Sequence, residues 1–592
     1  MSFYHKYVKK YWKLFTVAVL FLTVETFCDL MQPTIMSKVI DMGVAHRDLD
    51  KVLSLGGLML LVTAFGALSA IIRNIISSHV SQRFGTELRS DLFRKIQTLS
   101  FEQIDRFDRA SLVTRLTNDV TQVQNFVNGL MRIFVKAPLI AIGSLIMAIR
   151  LDVHLSIVLA VVVPLVALVI MLNVKVSFPF FMKVQKALDH VNLVMREYLS
   201  GVRVVKAFNR FDYEVDKFGS ANDDLANRSA TSMRVMSIFG PGISLFLNFG
   251  IIAVLWMGGL RVDGGQMQVG SIIAFINYMT QILFSLMMIS NVFNMFVRAK
   301  ASAGRIGEVL VETDTMNTGA DVATDRVRAI PVVVTKNAVE RGRIDFNEVT
   351  FTYAGSQGDP VIHNLSLTCM PGETIGIIGS TGSGKSTLVS LIPRFYDVHS
   401  GTVKVNGVDV RDLDPKQLRE KIAVVPQKMM LFTGTVKENL QWGRDDATEA
   451  ELMEAAKIAE AHDFIMASPE GYESRIGQGG VNFSGGQKQR MSIARALVRK
   501  PEILILDDCT SAVDVATEAR IKKGLRTYAR GLTCILIAQR ITSVMDADQI
   551  VVMDRGRMVG TGSHDELLQS CQVYREIFQS QLGKEVQSHA AQ

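Results

Sequence analysis

Cysteine is scarce in this sequence: five residues in 592, at Cys28, Cys369, Cys509, Cys534 and Cys571. None stands in a CxxC pair, which excludes a zinc site and a disulfide framework and leaves packed, reduced thiols. No small-residue cleavage site follows the basic opening HKYVKKYWK, and Glu25 and Asp29 interrupt the first apolar run, so that run is expected to be an uncleaved membrane span. No concentrated basic patch accompanies the net charge of +7. Lys and Arg instead flank apolar runs, which fits anchoring at an anionic cytoplasmic leaflet and not nucleic-acid binding. What the chain does have is apolar residues, 48% of the total, with a mean hydropathy of +0.24. It is too long for one domain and too apolar for an ordinary soluble protein.

Six apolar runs are candidates for membrane spans: Leu14–Ile40, Val52–Ile72, Leu130–Ile149, Leu155–Leu172, Val235–Leu260 and Val269–Val297. Each is near the ~20 residues needed to cross hydrocarbon. The connections around Arg47, Asp152 and Asp263 are short, whereas Arg73–Gly129 and Asn173–Arg234 are long, rich in Lys and Arg and poor in proline. The positive-inside rule puts the long connections and both termini in the cytoplasm. Each long connection is expected to fold as two helical arms reaching ~40 Å, with turns in FEQIDRFDRAS (Phe101–Ser111) and FNRFDYE (Phe208–Glu214). They read either as solvated hairpins or as levers whose tips touch a cytosolic motor.

Within the spans Glu25, Asp29, Asn248, Asn277, Gln281, Asn291 and Asn294 are polar, and Phe246, Phe249, Phe284, Met287, Met288 and Phe293 are large and apolar. Together they suit a cavity for amphipathic, cationic molecules, Met adapting to varied shapes. The other reading of the polar residues is interhelical bonding.

From Val311 to Glu340 the pattern loses any period and reads as a linker. After it, RIDFNEVTFTY, TIGIIG, KIAVVPQ, EILILDD, TCILIAQ and QIVVMD alternate with helical stretches, the signature of an α/β nucleotide-binding domain. The expected domains are therefore 1–310, a membrane domain; 311–340, the linker; and 341–592, the nucleotide-binding domain. Strand TIGIIG runs into GSTGSGKST and then a helical run, the full context of a P-loop. Gly379, Ser380, Thr381, Gly382, Ser383 and Gly384 would turn the backbone so that N–H groups face phosphates. Lys385 would reach the β and γ phosphates, Ser386 would ligate Mg²⁺, and Thr387 completes the motif. Asp507, at the end of ILILD, would hold the Mg²⁺ shell.

Between these motifs lies NFSGGQKQR, Asn482–Arg490. With it the whole chain resembles an ABC transporter of the exporter type, six spans fused to one nucleotide-binding domain, although Phe483 stands where leucine is usual. The resemblance implies that Ser484, Gly485, Gly486 and Gln487 form the signature segment and that Tyr353 stacks on adenine. It further implies that Gln427 senses Mg²⁺ and the membrane domain, and that Ser511–Asp514 is the D-loop, with Asp514 at the nucleotide. The turns near Phe107 and Phe211 would be coupling helices, the second docking on a partner's nucleotide-binding domain. ATP and Mg²⁺ are the implied cofactors.

Two further positions, both at the ATP site, depart from the family pattern. Asp508 stands where a glutamate polarises the attacking water, and Gln539, in IAQR, stands where a histidine contacts the γ-phosphate. An aspartate carboxylate falls about an ångström short, which costs ~10²-fold in rate, and glutamine does not titrate near neutrality. Family sites form head to tail between two domains. The chain is thus expected to be the degenerate-site half of a heterodimeric exporter, its signature segment closing over the competent site of a second, homologous half-transporter. The expected setting is the cell membrane, multi-pass, with an amphipathic small-molecule substrate. Export of lipid or peptide, or a regulatory subunit that binds ATP without hydrolysing it, are the other readings.

Overall fold

A computed structural model of the chain describes residues 2–312, 341–353, 358–528 and 531–589. All but the first two positions of the expected linker, and the side chains of Asn291 and Asn294, lie outside the described residues. The rest falls into two compact units, residues 2–97 with 110–312, and residues 98–109 with those described from 341 onward.

The first unit is helical: α1 (Ser2–Lys38), α2 (Leu49–Thr98), then, after α3 (Phe101–Phe107), α4 (Arg109–Thr114), α5 (Val120–Gly129), α6 (Lys136–Leu151), α7 (Ser156–Ala207), α8 (Phe211–Ser237), α9 (Phe239–Asp263) and α10 (Val269–Val311). Among the described residues six helical stretches are long and apolar enough to cross a membrane. They correspond to the six runs in the sequence, and the first five are longer than those runs. The 50 residues of α2 and the 52 of α7 give about 75 Å of helix at 1.5 Å per residue, far more than the ~30 Å of hydrocarbon. The surplus belongs to the polar connections, which continue their spans without a break. α7 holds Pro164 and Pro179 inside it, and prolines of this kind are tolerated where neighbouring helices compensate.

The core of this unit joins Leu159, Val162 and Val166 of α7 to Phe275, Tyr278 and Met279 of α10, all buried. An ionic cluster adds to it. Glu25 of α1, 6% exposed, accepts from Arg73 Nε of α2 at 2.7 Å and from Lys136 Nζ of α6 at 2.6 Å, and Lys136 lies 3.1 Å from Asp29. For Glu25 the interhelical reading holds. Gln281 behaves likewise, accepting from Ser144 Oγ at 2.9 Å. Asn248 and Asn277 are exposed in the single chain.

The second unit has, among the described residues, two larger sheets, one two-stranded pair and a helical part. One sheet has the order β2 (Ile362–Cys369), β1 (Ile344–Phe351), β4 (Ser400–Val405), β5 (Val408–Asp409) and is antiparallel. The other has the order β12 (Arg557–Gly562), β11 (Gln549–Asp554), β3 (Thr374–Gly379), β10 (Thr533–Ile537), β9 (Ile503–Asp507), β6 (Ile422–Val425). It is parallel apart from β12. A short pair, β7 (Gly434–Thr435) and β8 (Arg475–Ile476), stands apart. β3, β9 and β10 are almost wholly buried, as expected of strands covered on both faces. Their carboxyl ends lie side by side, with Asp507 in register with Ile537. In such sheets ligands sit beyond those ends.

Candidate functional site

At that edge β3 gives way to the loop 379–384 and helix α11 (Lys385–Ser390). Gly384 adopts φ 95, and a Cβ there would come within 2.9 Å of the Val361 carbonyl oxygen, so the turn requires glycine. A cavity of roughly 270 Å³ opens above the loop, lined by Val361, Thr381–Thr387, Gln427, Asp507, Asp508, Ile537 and Gln539. The sequence expectations meet there. Lys385 Nζ is held over the loop, donating to the Gly379 and Ser380 carbonyls at 2.8 and 2.7 Å. Burial lowers its pKa from the ordinary lysine value, and an anion arriving beside it would favour the charged form again. Ser386 Oγ donates to Asp507 Oδ1 at 3.1 Å, bringing two hard oxygen ligands together. Burial raises the pKa of Asp507.

Tyr353 is not among the residues that line the cavity. It stands beside it, its hydroxyl 3.0 Å from Thr387 Oγ1. The geometry also holds what sequence reasoning missed, namely Val361 and Ile537 as lining residues and Tyr396, whose ring meets Tyr353 edge-on at 5.2 Å. The only sequence signal for Tyr396 is the aromatic pair in RFYD just past α11.

The two departures at the ATP site touch each other. Gln539 Nε2 donates to Asp508 Oδ2 at 3.0 Å, and Gln427 Nε2 approaches the same oxygen at 3.5 Å. The backbone of Asp508 is left-handed, φ 47, a conformation that aspartate tolerates better than most residues. Its N–H bonds the Ile537 carbonyl at 2.9 Å, which fixes the side chain between β9 and β10. Burial raises the pKa of Asp508 above the usual carboxylate range.

Ser484, Gly485, Gly486, Gln487 and Asp514 line no part of this cavity. They form a second constellation at the start of the helix Gly485–Val498. Ser484 caps it. Its Oγ accepts from the Gln487 N–H, and Gln487 Oε1 accepts from the Ser484 N–H at 2.9 Å, a reciprocal capping box. A Cβ on Gly486 would come within 2.8 Å of the Ala512 carbonyl oxygen, so glycine lets the D-loop lie against the helix. Gln489 fastens the two by bonding Ser511 Oγ and the Ala512 N–H. Asp514 accepts from the Thr517 N–H at 2.9 Å, opening the next helix.

The family model of the ABC transporter transmembrane region matches residues 15–286, and that of the ABC transporter matches 362–511. The chain is 39% identical over 579 residues to YfiB of Bacillus subtilis (strain 168), termed an uncharacterized ABC transporter ATP-binding protein, with 98% of each chain covered. The chain belongs to the ABC transporter family. YgaD, an ATP-binding/permease protein of the same bacterium named provisionally for multidrug export, is 33% identical, with 98% of each chain covered. A fatty acid ABC transporter ATP-binding/permease protein of Mycobacterium bovis is also 33% identical, over 93% of this chain and 84% of its own. The solved structure of a bacterial Atm1-family ABC exporter with ATP bound matches with a TM-score of 0.77 and 25% identity, over 96% of this chain and 98% of that one. This ABC transporter is therefore a half-transporter of the exporter architecture, a multi-pass membrane protein whose family couples ATP hydrolysis to transport.

Proposed function

We propose that this ABC transporter chain is the degenerate-site half of a heterodimeric exporter. The single observation that carries the reading is the 3.0 Å bond from Gln539 to the Asp508 carboxylate. The two residues that depart from the catalytic pattern satisfy one another, and the carboxylate, already one methylene short, is tied back. The site on Gly379–Thr387 binds ATP and turns it over slowly. Ser386 and Gln427 would hold Mg²⁺, with Asp507 acting through a water; the ion would supply charge neutralisation for the phosphates when bound. Ser484–Gln487 and Asp514 complete the site of a partner that carries the glutamate and histidine. Residues 1–310 form the membrane domain, 311–340 the linker and 341–592 the nucleotide-binding domain. Both termini and that domain are cytoplasmic.

The cargo in this reading is an amphipathic or hydrophobic small molecule, supported by the apolar spans and by the name of YgaD. A lipid is the second reading, supported by the fatty acid relative. The test is steady-state ATP hydrolysis by the purified chain alone and with its partner. The chain alone is expected to reach a small fraction of the complex's rate; comparable turnover would sink the shared-site reading.

A further inference from the structure

The short helix α3 follows the long helix α2 in the chain, yet it packs within the nucleotide-binding unit. Its contacts there are aromatic and run toward Tyr353. Phe101 meets Phe395 at 4.7 Å and Tyr396 at 6.2 Å between ring centroids. Tyr396 donates its hydroxyl to Asp105 of α3 at 2.9 Å. The same Tyr396 ring stands nearly perpendicular to Tyr353, at 5.2 Å and 87°, and Phe351 closes the cluster at 4.9 Å from Tyr353 and 5.7 Å from Tyr396. Tyr353 in turn holds Thr387. The contacts form one chain: Asp105, Tyr396, Tyr353, Thr387.

The bracket is held from behind. Arg394 pairs with Asp397 at 2.8 Å across the Phe395–Tyr396 turn. Arg419 donates to the Pro393 and Arg394 carbonyls at 3.0 and 2.8 Å and stands over the Phe395 ring. Burial first, and then the bond to Asp105, push the Tyr396 hydroxyl above its usual range, so the phenol stays a donor. A ring clamped on one side and bonded to α3 on the other has little freedom of its own.

We infer that Tyr396 is a positioning residue that sets the Tyr353 ring for the nucleotide base and reports occupancy of the base site to α3. This link runs on the base side of the site and needs no hydrolysis, so it would respond to ATP in a site that binds it and barely cleaves it. The inference rests on the reading of Tyr353 as the base platform.

The experiment is hydrogen exchange of segment 98–109 in the full-length chain, with and without saturating Mg²⁺ and ATP, alongside equilibrium ATP binding. In the wild type ATP is expected to slow exchange of that segment. Tyr396→Phe keeps the ring and loses the bond to Asp105, so ATP affinity should stay within about twofold while the slowing is lost. Tyr396→Leu also removes the edge contact and should weaken ATP binding about two- to tenfold. Asp105→Asn keeps a carbonyl acceptor and should retain the slowing; Asp105→Ala should lose it. ATP-dependent slowing as large in Tyr396→Phe as in the wild type, or no slowing in the wild type, would overturn the inference. Unchanged ATP affinity in Tyr353→Ala would instead sink the base-platform reading, and because neither measurement requires turnover, both are independent of whether Asp508 is catalytic.

Discussion

The P-loop cavity and the signature segment belong to the same unit but are in different repair. Around the cavity the groups that hold phosphate and metal are in place, Lys385 over the loop and Ser386 against Asp507, while the residue that should face water is bonded to Gln539. At the signature segment nothing is tied off. Ser484 and Gln487 cap each other, and the helix behind them runs 14 residues, long enough for its dipole to favour an anion at its start. In the proposed reading the difference separates two tasks that one site usually performs together: the cavity keeps binding, and the signature segment completes another chain's site.

The largest effect is expected where the intact region meets the partner. Ser484→Arg removes a preorganised donor and blocks close approach, and in the complex should lower ATP hydrolysis by ~10² to 10³ while leaving assembly intact, as read by turnover and by co-purification. Next comes repair of the other region. Asp508→Glu with Gln539→His should raise single-turnover hydrolysis by the isolated chain by up to ~10²; no gain would place the lesion elsewhere in the site. Third, Lys385→Ala removes a charged donor from the phosphates and should weaken ATP retention about 10- to 100-fold, measured by trapping of labelled nucleotide. In the wild type the trapped nucleotide should be intact ATP.

Much of this was legible in the sequence because the signals are local. The spans are unbroken apolar runs, and ILILD and TIGIIG are buried strands with motifs at their ends. β2 was passed over: IHNLSLTC alternates, with Asn364, Ser366 and Thr368 outside, a weaker local signal than the unbroken runs of ILILD and TIGIIG. Lys136 was likewise passed over inside an apolar run, since only the fold brings it to Glu25. The motifs named Asp508 and Gln539 separately, 31 residues apart. Parallel pairing of β9 with β10 makes them neighbours, and that pairing is not a local property.

The smallest effect is expected at Asp508 itself. If its carboxylate is tied to Gln539 and the partner's site carries turnover, Asp508→Ala in the complex removes one hydrogen bond from a site that contributes little, and hydrolysis should fall by less than about tenfold. The backbone complicates the substitution. At φ 47 alanine is strained by about 1 kcal/mol, so a modest loss could come from stability and not chemistry. Asp508→Asn serves as the control, because asparagine tolerates the left-handed conformation and can still pair with Gln539 through its amide while carrying no negative charge. Both variants should therefore leave the complex within the same narrow range, with Asn the milder. If Asp508→Asn matches the damage of Ser484→Arg, the charge on Asp508 is doing catalysis, and the two regions differ in sequence but not in function.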